Sequence, residues 1–312
     1  MGHIPVLADE VTDFLAPALA GGGIIVDATV GLGGHAAALL RRAPEIELVG
    51  IDRDPEAVEA SRANLAAYHE RVRLARGDFK DLKASLERFG DAPIRGVLFD
   101  LGVSSSQLDE ARRGFGYRVA GPLDMRMDPS QPLSAREVVN DYPVATLARV
   151  LRRYGEERFA DRVAGAIAAA RPIDSTDRLA EVVRAAIPAA TRRTGGHPAR
   201  RTFQAIRIEV NRELEALQDA LPDAVDVLAP GGRVAVISYH SLEDRIVKRY
   251  LAEQSRDCIC PADFPVCRCE ARARVRVLTR RPVRPSTAEV EANPRASSAR
   301  LRVAEKLETP TP

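Results

Sequence analysis

The chain has 312 residues, 45% of them hydrophobic, enough to bury one large core or two smaller ones. A net charge of +2 means that any affinity for nucleic acid has to come from local patches rather than from the overall field. No apolar run is long enough to span a bilayer, and the opening Met1-Gly2-His3-Ile4-Pro5 lacks a signal-peptide core, so a soluble, cytoplasmic protein is expected.

In chain order, His3 to Ala8 reads as a short extended arm and Asp9 to Leu19 as a helix by its apolar spacing. Ile24-Ile25-Val26 then runs into Asp27, and glycines follow at 31, 33 and 34, ahead of an amphipathic stretch from Ala36 to Arg42. That is a strand, a glycine turn and a helix, the usual opening of a nucleotide-type cofactor site. The next strands are Leu48 to Ile51, ending on Asp52; Val72 to Ala75, closing on Gly77-Asp78-Phe79; and Ile94 to Phe99, ending on Asp100. Helices over 55–67 and 81–89 separate them, so the alternation predicts an open parallel sheet covered on both faces.

From about Asp109 to Arg201 the pattern is helical, with apolar stripes in 144–154, 158–170 and 179–187. Phe203, Ile206, Val210, Leu214 and Leu217 make one further stripe, with a break predicted near Pro222. A strand follows at 233–238, then a helix start at Ser241-Leu242-Glu243-Asp244 with Ser241 as the capping group, and final strands at 275–278 and 301–304.

The acidic strand ends discriminate between cofactors better than the glycines do. Gly31-x-Gly33-x-x-Ala36 also fits a dinucleotide fingerprint. Asp52 stands where a carboxylate accepts from both ribose hydroxyls, which dinucleotides and S-adenosylmethionine share. Asp27, just ahead of the glycines, suits the ammonium of a methionine moiety and would repel a pyrophosphate. Asp27, Asp52, Asp78 and Asp100, with no lysine beside the glycines, favour S-adenosylmethionine over NAD.

Further blocks recur along the chain. They are His3-x-Pro5-Val6-Leu7, Gly31-x-Gly33-Gly34-His35, Asp52-Arg53-Asp54, Asp100-Leu101-Gly102-Val103-Ser104-Ser105-x-Gln107-Leu108-Asp109 and Gly121-Pro122-Leu123-Asp124-Met125-Arg126-Met127-Asp128. Later come Tyr154-Gly155-Glu156-Glu157-Arg158, Thr202-Phe203-Gln204-Ala205, Ser241-Leu242-Glu243-Asp244-Arg245 and Asn293-Pro294-Arg295. With these blocks the chain resembles the MraW/RsmH family, the bacterial cytosine-N4 methyltransferases of small-subunit ribosomal RNA. The resemblance implies an α/β protein: a class I, Rossmann-like, S-adenosylmethionine-dependent methyltransferase sheet with an inserted all-helical domain. The expected division is 1–108 with 202–312 for the cofactor-binding domain and 109–201 for the insertion, a substrate-recognition domain. It further implies N4-methylation of one cytidine in the decoding region of 16S rRNA, within the small ribosomal subunit, with neither DNA nor a membrane as partner. The family's cofactor contacts fall on Gly33, Gly34, His35, Asp52, Phe79, Asp100 and Gln107.

The N4 amine is a poor nucleophile because its lone pair is delocalised into the ring, so transfer requires an acceptor for an N4–H and in-line positioning. Asp100 and the loop to Ser106 stand where such groups belong, which makes Asp100, Ser104 and Ser105 the catalytic candidates; a backbone carbonyl is the other option, and turn chemistry is the plainer role for the serines. The Asp/Asn-Pro-Pro-aromatic motif of many amino-methyltransferases is replaced here by Asp-Leu-Gly-Val, which leaves base stacking to Tyr239 or His240. His35 is expected to matter more through its backbone at the helix start than through its ring. Asp124 and Asp128 around Arg126 form either an ion-pair knot or part of a substrate mouth.

Two arginine groups, 192, 193, 200, 201, 207 and 212, then 272, 274, 276, 280, 281 and 284, are candidate phosphate contacts or plain solvated faces. Cys258-x-Cys260 and Cys267-x-Cys269 are close enough to hold a structural zinc, with reduced thiols or a redox-labile pair as the alternatives. Two other functions fit parts of the pattern: an NAD-dependent oxidoreductase on a similar sheet, and a non-catalytic RNA-binding assembly factor.

Overall fold

A computed structural model describes residues 5–90, 92–189, 197–260, 266, 268–269 and 271–308, without the side chains of residues 105 and 106. The chain forms two compact units, residues 1–102 with 214–312 and residues 103–213.

The first unit opens with α1 (Ala8–Leu19), β1 (Gly23–Asp27), α2 (Gly34–Arg42), β2 (Ile46–Asp52), α3 (Pro55–Asn64), β3 (Val72–Arg76), α4 (Leu82–Leu86) and β4 (Ile94–Asp100). The second unit holds α5 (Ser105–Asp109), α6 (Ala135–Asn140), α7 (Val144–Gly155), α8 (Ala160–Ala169), α9 (Thr176–Ala186) and α10 (Arg200–Asn211). The chain re-enters the first unit along α11 (Glu213–Val227) and completes it with β5 (Leu228–Ser238), α12 (Ser241–Gln254), β6 (Val275–Val277), α13 (Thr287–Ala292) and β7 (Arg300–Lys306).

The sheet order is β3-β2-β1-β4-β5-β7-β6. The strands from β3 to β5 are parallel, and β7 runs antiparallel to both β5 and β6. Parallel neighbours need a crossover, which the intervening helices supply, and such a sheet buries both faces. The period of two sorts the apolar side chains accordingly. Ile24, Val26, Val49, Ile51, Val97, Phe99, Val234 and Val236 pack with Leu217, Leu221, Val225, Val247 and Leu251 of α11 and α12. Ile25, Leu48, Leu98, Ala235 and Ile237 pack on the other face with Val11, Leu15, Leu39 and Leu40 of α1 and α2. Each such side chain contributes about 1.5–3 kcal/mol on full burial. The strand order reverses between β1 and β4, and a crevice for a ligand opens at the carboxyl ends of strands around such a point.

Three local expectations are corrected. The helical stripe breaks at Arg212, which takes φ 50° and caps α10, while Pro222 lies inside α11. Ala220, Leu221, Ala224 and Val225 are all buried around that proline, so packing outweighs its missing N–H. The cap of α12 is His240 rather than Ser241: its Nδ1 accepts from the Glu243 N–H at 3.5 Å, and the Glu243 carboxylate accepts from the His240 N–H at 3.2 Å. The second unit also takes in α10, which packs on α7.

That packing is a backbone contact. A Cβ on Gly155 would stand 2.6 Å from the Arg201 carbonyl oxygen and 3.2 Å from the Ala205 Cβ. Gly155→Ala is therefore expected to destabilise the helical unit by about 2 kcal/mol or more, read as a lowered midpoint in denaturant unfolding followed by circular dichroism.

Candidate active site

The glycine turn is built around Asp52. One of its carboxylate oxygens accepts from the Gly31 N–H at 2.9 Å and the other from the Asp54 N–H at 2.9 Å, so the end of β2 holds the turn that leaves β1. The Val30 N–H donates to the Ile51 carbonyl at 2.9 Å beside it. Gly33 caps α2 at φ 80°, and a Cβ there would meet the Leu65 Cγ at 3.0 Å. Only glycine takes that conformation at no steric cost. The turn thus presents bare backbone and the opening N–H groups of α2 at the switch point, without a side chain in the way.

Three carboxylates converge on neighbouring strands. Asp27 ends β1, Asp52 ends β2 and Asp100 ends β4, the order in the sheet being β2-β1-β4. Asp27 is 1% exposed, and only the Thr29 N–H, at 3.2 Å, is recorded as donating to it. Burial pushes its carboxyl up to about 7; the nearby His35 and the Thr29 N–H oppose this, while Asp100 and Asp52 add to it. Burial likewise pushes Asp52 up to about 6.

Asp100 is held from both sides. The Tyr239 hydroxyl donates to its Oδ1 at 2.9 Å, and the His35 Nε2 lies 3.5 Å from its Oδ2. Its own N–H donates to the Thr29 Oγ1 at 2.7 Å, which fixes β4 to the turn after β1. Burial disfavours a charged His35, but the Asp100 carboxylate outweighs it, so the imidazole is pushed above its ordinary value. The Tyr239 hydroxyl is raised well above its usual range by burial and by the Asp100 charge. The His35 ring, and not only its backbone, therefore belongs to the site. Both of its ring nitrogens are buried without a hydrogen-bond partner among the described residues, so its approach to Asp100 is an electrostatic contact.

The remaining candidates fall elsewhere. Phe79 follows β3 and stands edge-on to the buried Phe99, ring centroids 5.8 Å apart, beside the Arg53–Asp78 ion pair. Ser104 and Gln107 belong to the second unit, where they exchange hydrogen bonds: the Ser104 N–H donates to the Gln107 Oε1 and the Gln107 N–H to the Ser104 Oγ. That is the turn chemistry weighed for the serines, at the start of α5. Ser105 opens α5, and its side chain lies outside the described residues. His240, considered for base stacking, is committed to capping α12.

Within the second unit, Arg126 binds Asp124 through two nitrogens, Nε to Oδ1 at 2.9 Å and Nη2 to Oδ2 at 2.8 Å, and donates from Nη1 to the Gln131 carbonyl. The buried Asn211 accepts from the Met127 N–H and donates to the Met125 carbonyl, so this segment is a structural knot. Arg207 pairs bidentately with Glu213, which commits it to the fold rather than to phosphate. Arg192 and Arg193 lie outside the described residues. In the other arginine run, Arg274 pairs with Asp226 and Arg276 with Glu305.

Sequence reasoning missed an aromatic cluster in the second unit. The Tyr117 and His197 rings stack at 4.4 Å and 18°, with Phe203 edge-on to Tyr117 at 5.6 Å. Partial burial, then the charges of Arg118 and Arg184, lower the His197 pKa. The Tyr239–Asp100 bond was equally invisible, because 139 residues separate the partners.

The parallel sheet with its antiparallel β7, the glycine turn at the switch point and the acidic strand ends define a class I, Rossmann-like methyltransferase. The chain belongs to the MraW methylase family, whose model it matches over residues 1–307. It is 52% identical over 310 residues to the ribosomal RNA small subunit methyltransferase H of Heliobacterium modesticaldum, with 98% of both chains covered. It is 53% identical over 312 residues to the protein of that name from Thermobifida fusca, covering 99% of this chain and 94% of that one.

Two outcomes follow from the buried charges. The folded Asp27 carboxyl keeps its proton up to about pH 7, whereas an unfolded one releases it near about pH 4, so this group costs stability progressively as pH rises through that window. Asp27→Asn should therefore raise the stability of the ligand-free protein relative to wild type at pH 8 and leave it nearly unchanged at pH 4, measured by urea unfolding. Asp100→Asn removes the charge that opposes burial at His35, so the imidazole pKa should fall, as read by NMR titration of the ring protons.

Proposed function

We propose that this protein is an S-adenosylmethionine-dependent methyltransferase that modifies the exocyclic N4 of a cytidine in the decoding region of 16S rRNA. The observation that carries the reading is the Asp100 carboxylate, held at the end of β4 between the Tyr239 hydroxyl and the His35 imidazole. The curated relatives act on small-subunit ribosomal RNA by name, and at about half identity over nearly full length this chain is expected to share that substrate.

The residues present fit the cofactor. Asp27 is a carboxyl beside the glycine turn whose pKa is raised by burial, and a bound ammonium group would favour its charged form. Asp52 faces the same crevice with lone pairs left after its two backbone bonds, suited to ribose hydroxyls. Gly33 takes the left-handed conformation that turns the chain into α2, Gly34 opens that helix, and Phe79 provides an apolar cover for an adenine ring. When bound, S-adenosylmethionine supplies an electrophilic methyl group on a sulfonium.

The protein's own part is positioning and charge. A carboxylate has about four acceptor sites, and the Tyr239 hydroxyl occupies one of those on Asp100 while His35 stands 3.5 Å from its other oxygen. The rest can accept an N4–H, which concentrates electron density on the nitrogen and stabilises the positive charge that develops there. Tyr239 and His35 fix the rotamer of Asp100, and the water-poor site strengthens each of these interactions. In the helical unit, the Tyr117–His197 stack with Arg118 nearby has the features that splayed-out, single-stranded RNA recognises, flat rings and positive charge, so residues 103–213 are assigned to substrate recognition.

The test is incubation with methyl-labelled S-adenosylmethionine and either 30S subunits or naked 16S rRNA, followed by digestion to nucleosides. Label in N4-methylcytidine is expected, and Asp100→Asn should lower kcat by about 100- to 10,000-fold. RNA binding without transfer would instead establish the assembly-factor reading, and nicotinamide binding the oxidoreductase one.

A further inference from the structure

Among its described residues, the segment between α12 and β6 buries no side chain. It is closed at its neck by two hydrogen bonds, the Arg274 N–H donating to the Gln254 carbonyl at 2.8 Å and the Ala273 N–H to the Asp257 side-chain Oδ1 at 3.0 Å. None of the described residues between 255 and 273 is buried, and Ile259 and Val266 are 66% and 64% exposed. Hydrophobic burial therefore does not hold this loop together. Its sulfurs nevertheless converge. The Sγ atoms of Cys258, Cys260 and Cys269 all lie within 4.8 Å of one another. Cys258 and Cys269, eleven residues apart in sequence, have their sulfurs 3.8 Å from each other, far beyond the roughly 2.05 Å of a disulfide.

We propose that Cys258, Cys260 and Cys269 are ligands of a structural Zn²⁺ ion that staples this loop. The spacing matches the chemistry: sulfurs placed about 2.3 Å from a tetrahedral zinc are about 3.8 Å apart. The Ile259 N–H donates to the Cys269 Sγ at 3.3 Å, an outer hydrogen bond of the kind that orients a thiolate ligand and offsets its charge. Thiolates select zinc over magnesium or calcium, which prefer oxygen. Metal entry displaces the three thiol protons, so affinity falls as the pH is lowered. Cys267, the remaining thiol of the second Cys-x-Cys, lies outside the described residues, so the assignment rests on the other three. The loop leads into β6, the edge of the sheet opposite β3, whereas the acidic strand ends belong to β1, β2 and β4; the ion is structural and takes no part in methyl transfer.

The full-length protein, purified under reducing conditions without chelator or added metal, should contain about one zinc per chain by mass spectrometry of the metal. A thiol-specific mercurial should release that zinc. After the mercurial is stripped with excess dithiothreitol and removed, refilling with Co²⁺ should give the visible and near-ultraviolet bands of tetrahedral thiolate coordination. The Cys258→Ser, Cys260→Ser, Cys269→Ser variant should lose the metal while its circular dichroism is unchanged, since the loop contributes nothing to either core. If that variant does not fold, the Co²⁺ titration of mercurial-treated wild type decides alone. A reduced, folded protein that is metal-free and takes up neither ion overturns the proposal. So does zinc retained in full by the triple variant, or iron with sulfide in its place.

Discussion

Carboxyl groups end three adjacent strands, and the site is organised around the electrostatic cost of withdrawing Asp27 and Asp52 from water. Asp27 has a single recorded backbone donor and is raised to about 7; Asp52, with two, is raised to about 6. Asp100 accepts from the Tyr239 hydroxyl and has the His35 Nε2 3.5 Å away. The same burial that disfavours these charges makes each one strong toward a cation or a polarised N–H, because the medium around it screens poorly. A binding site that is expensive when empty and satisfied by a positively charged ligand is the consequence.

The sheet can bear this cost because it is covered on both faces and tied along its length. Burial by α1 and α2 on one side and by α11 and α12 on the other fixes the strand ends to within the reach of single hydrogen bonds. Charged pairs then secure the antiparallel margin. Arg302 and Arg300 both bind Asp244 of α12, and Glu305 of β7 accepts from Arg233 of β5 and from Arg276 of β6. The Leu7 N–H donates to Glu289 at 2.7 Å, joining the start of the chain to α13. These contacts lower the Asp244 and Glu305 carboxyls, against the opposing effect of burial, and they contrast with the raised acids of the site. Paired acids hold the frame, and under-compensated acids wait for a ligand.

The helical unit applies the same materials differently. Its arginines are largely structural where the structure describes their partners: Arg126 ties a loop to Asp124, and Arg207 closes on Glu213 across the turn at Arg212. Local density of positive charge along a sequence is thus a poor guide to phosphate contact, because an ion pair is a property of two positions and only one of them is in the run. The unit also holds a stack of the Tyr117 and His197 rings, with the charges of Arg118 and Arg184 acting on His197.

The sequence by itself determined the alternation of strands and helices, the glycine turn, the acidic strand ends and the presence of an all-helical insertion. All of these are local: periodicities of two and 3.6, positive-φ glycines, and a charged residue where an apolar run stops. Only the tertiary structure decided what those residues do to one another. It placed the helix break at Arg212 rather than Pro222, because packing around α11 overrides a proline's preference. It turned the His35 ring onto Asp100, brought Tyr239 to the same carboxylate, and drew three cysteine sulfurs into one cluster. Desolvation, ion pairing and metal-ligand geometry depend on distances between residues far apart in the chain, and those distances exist only after the sheet has formed.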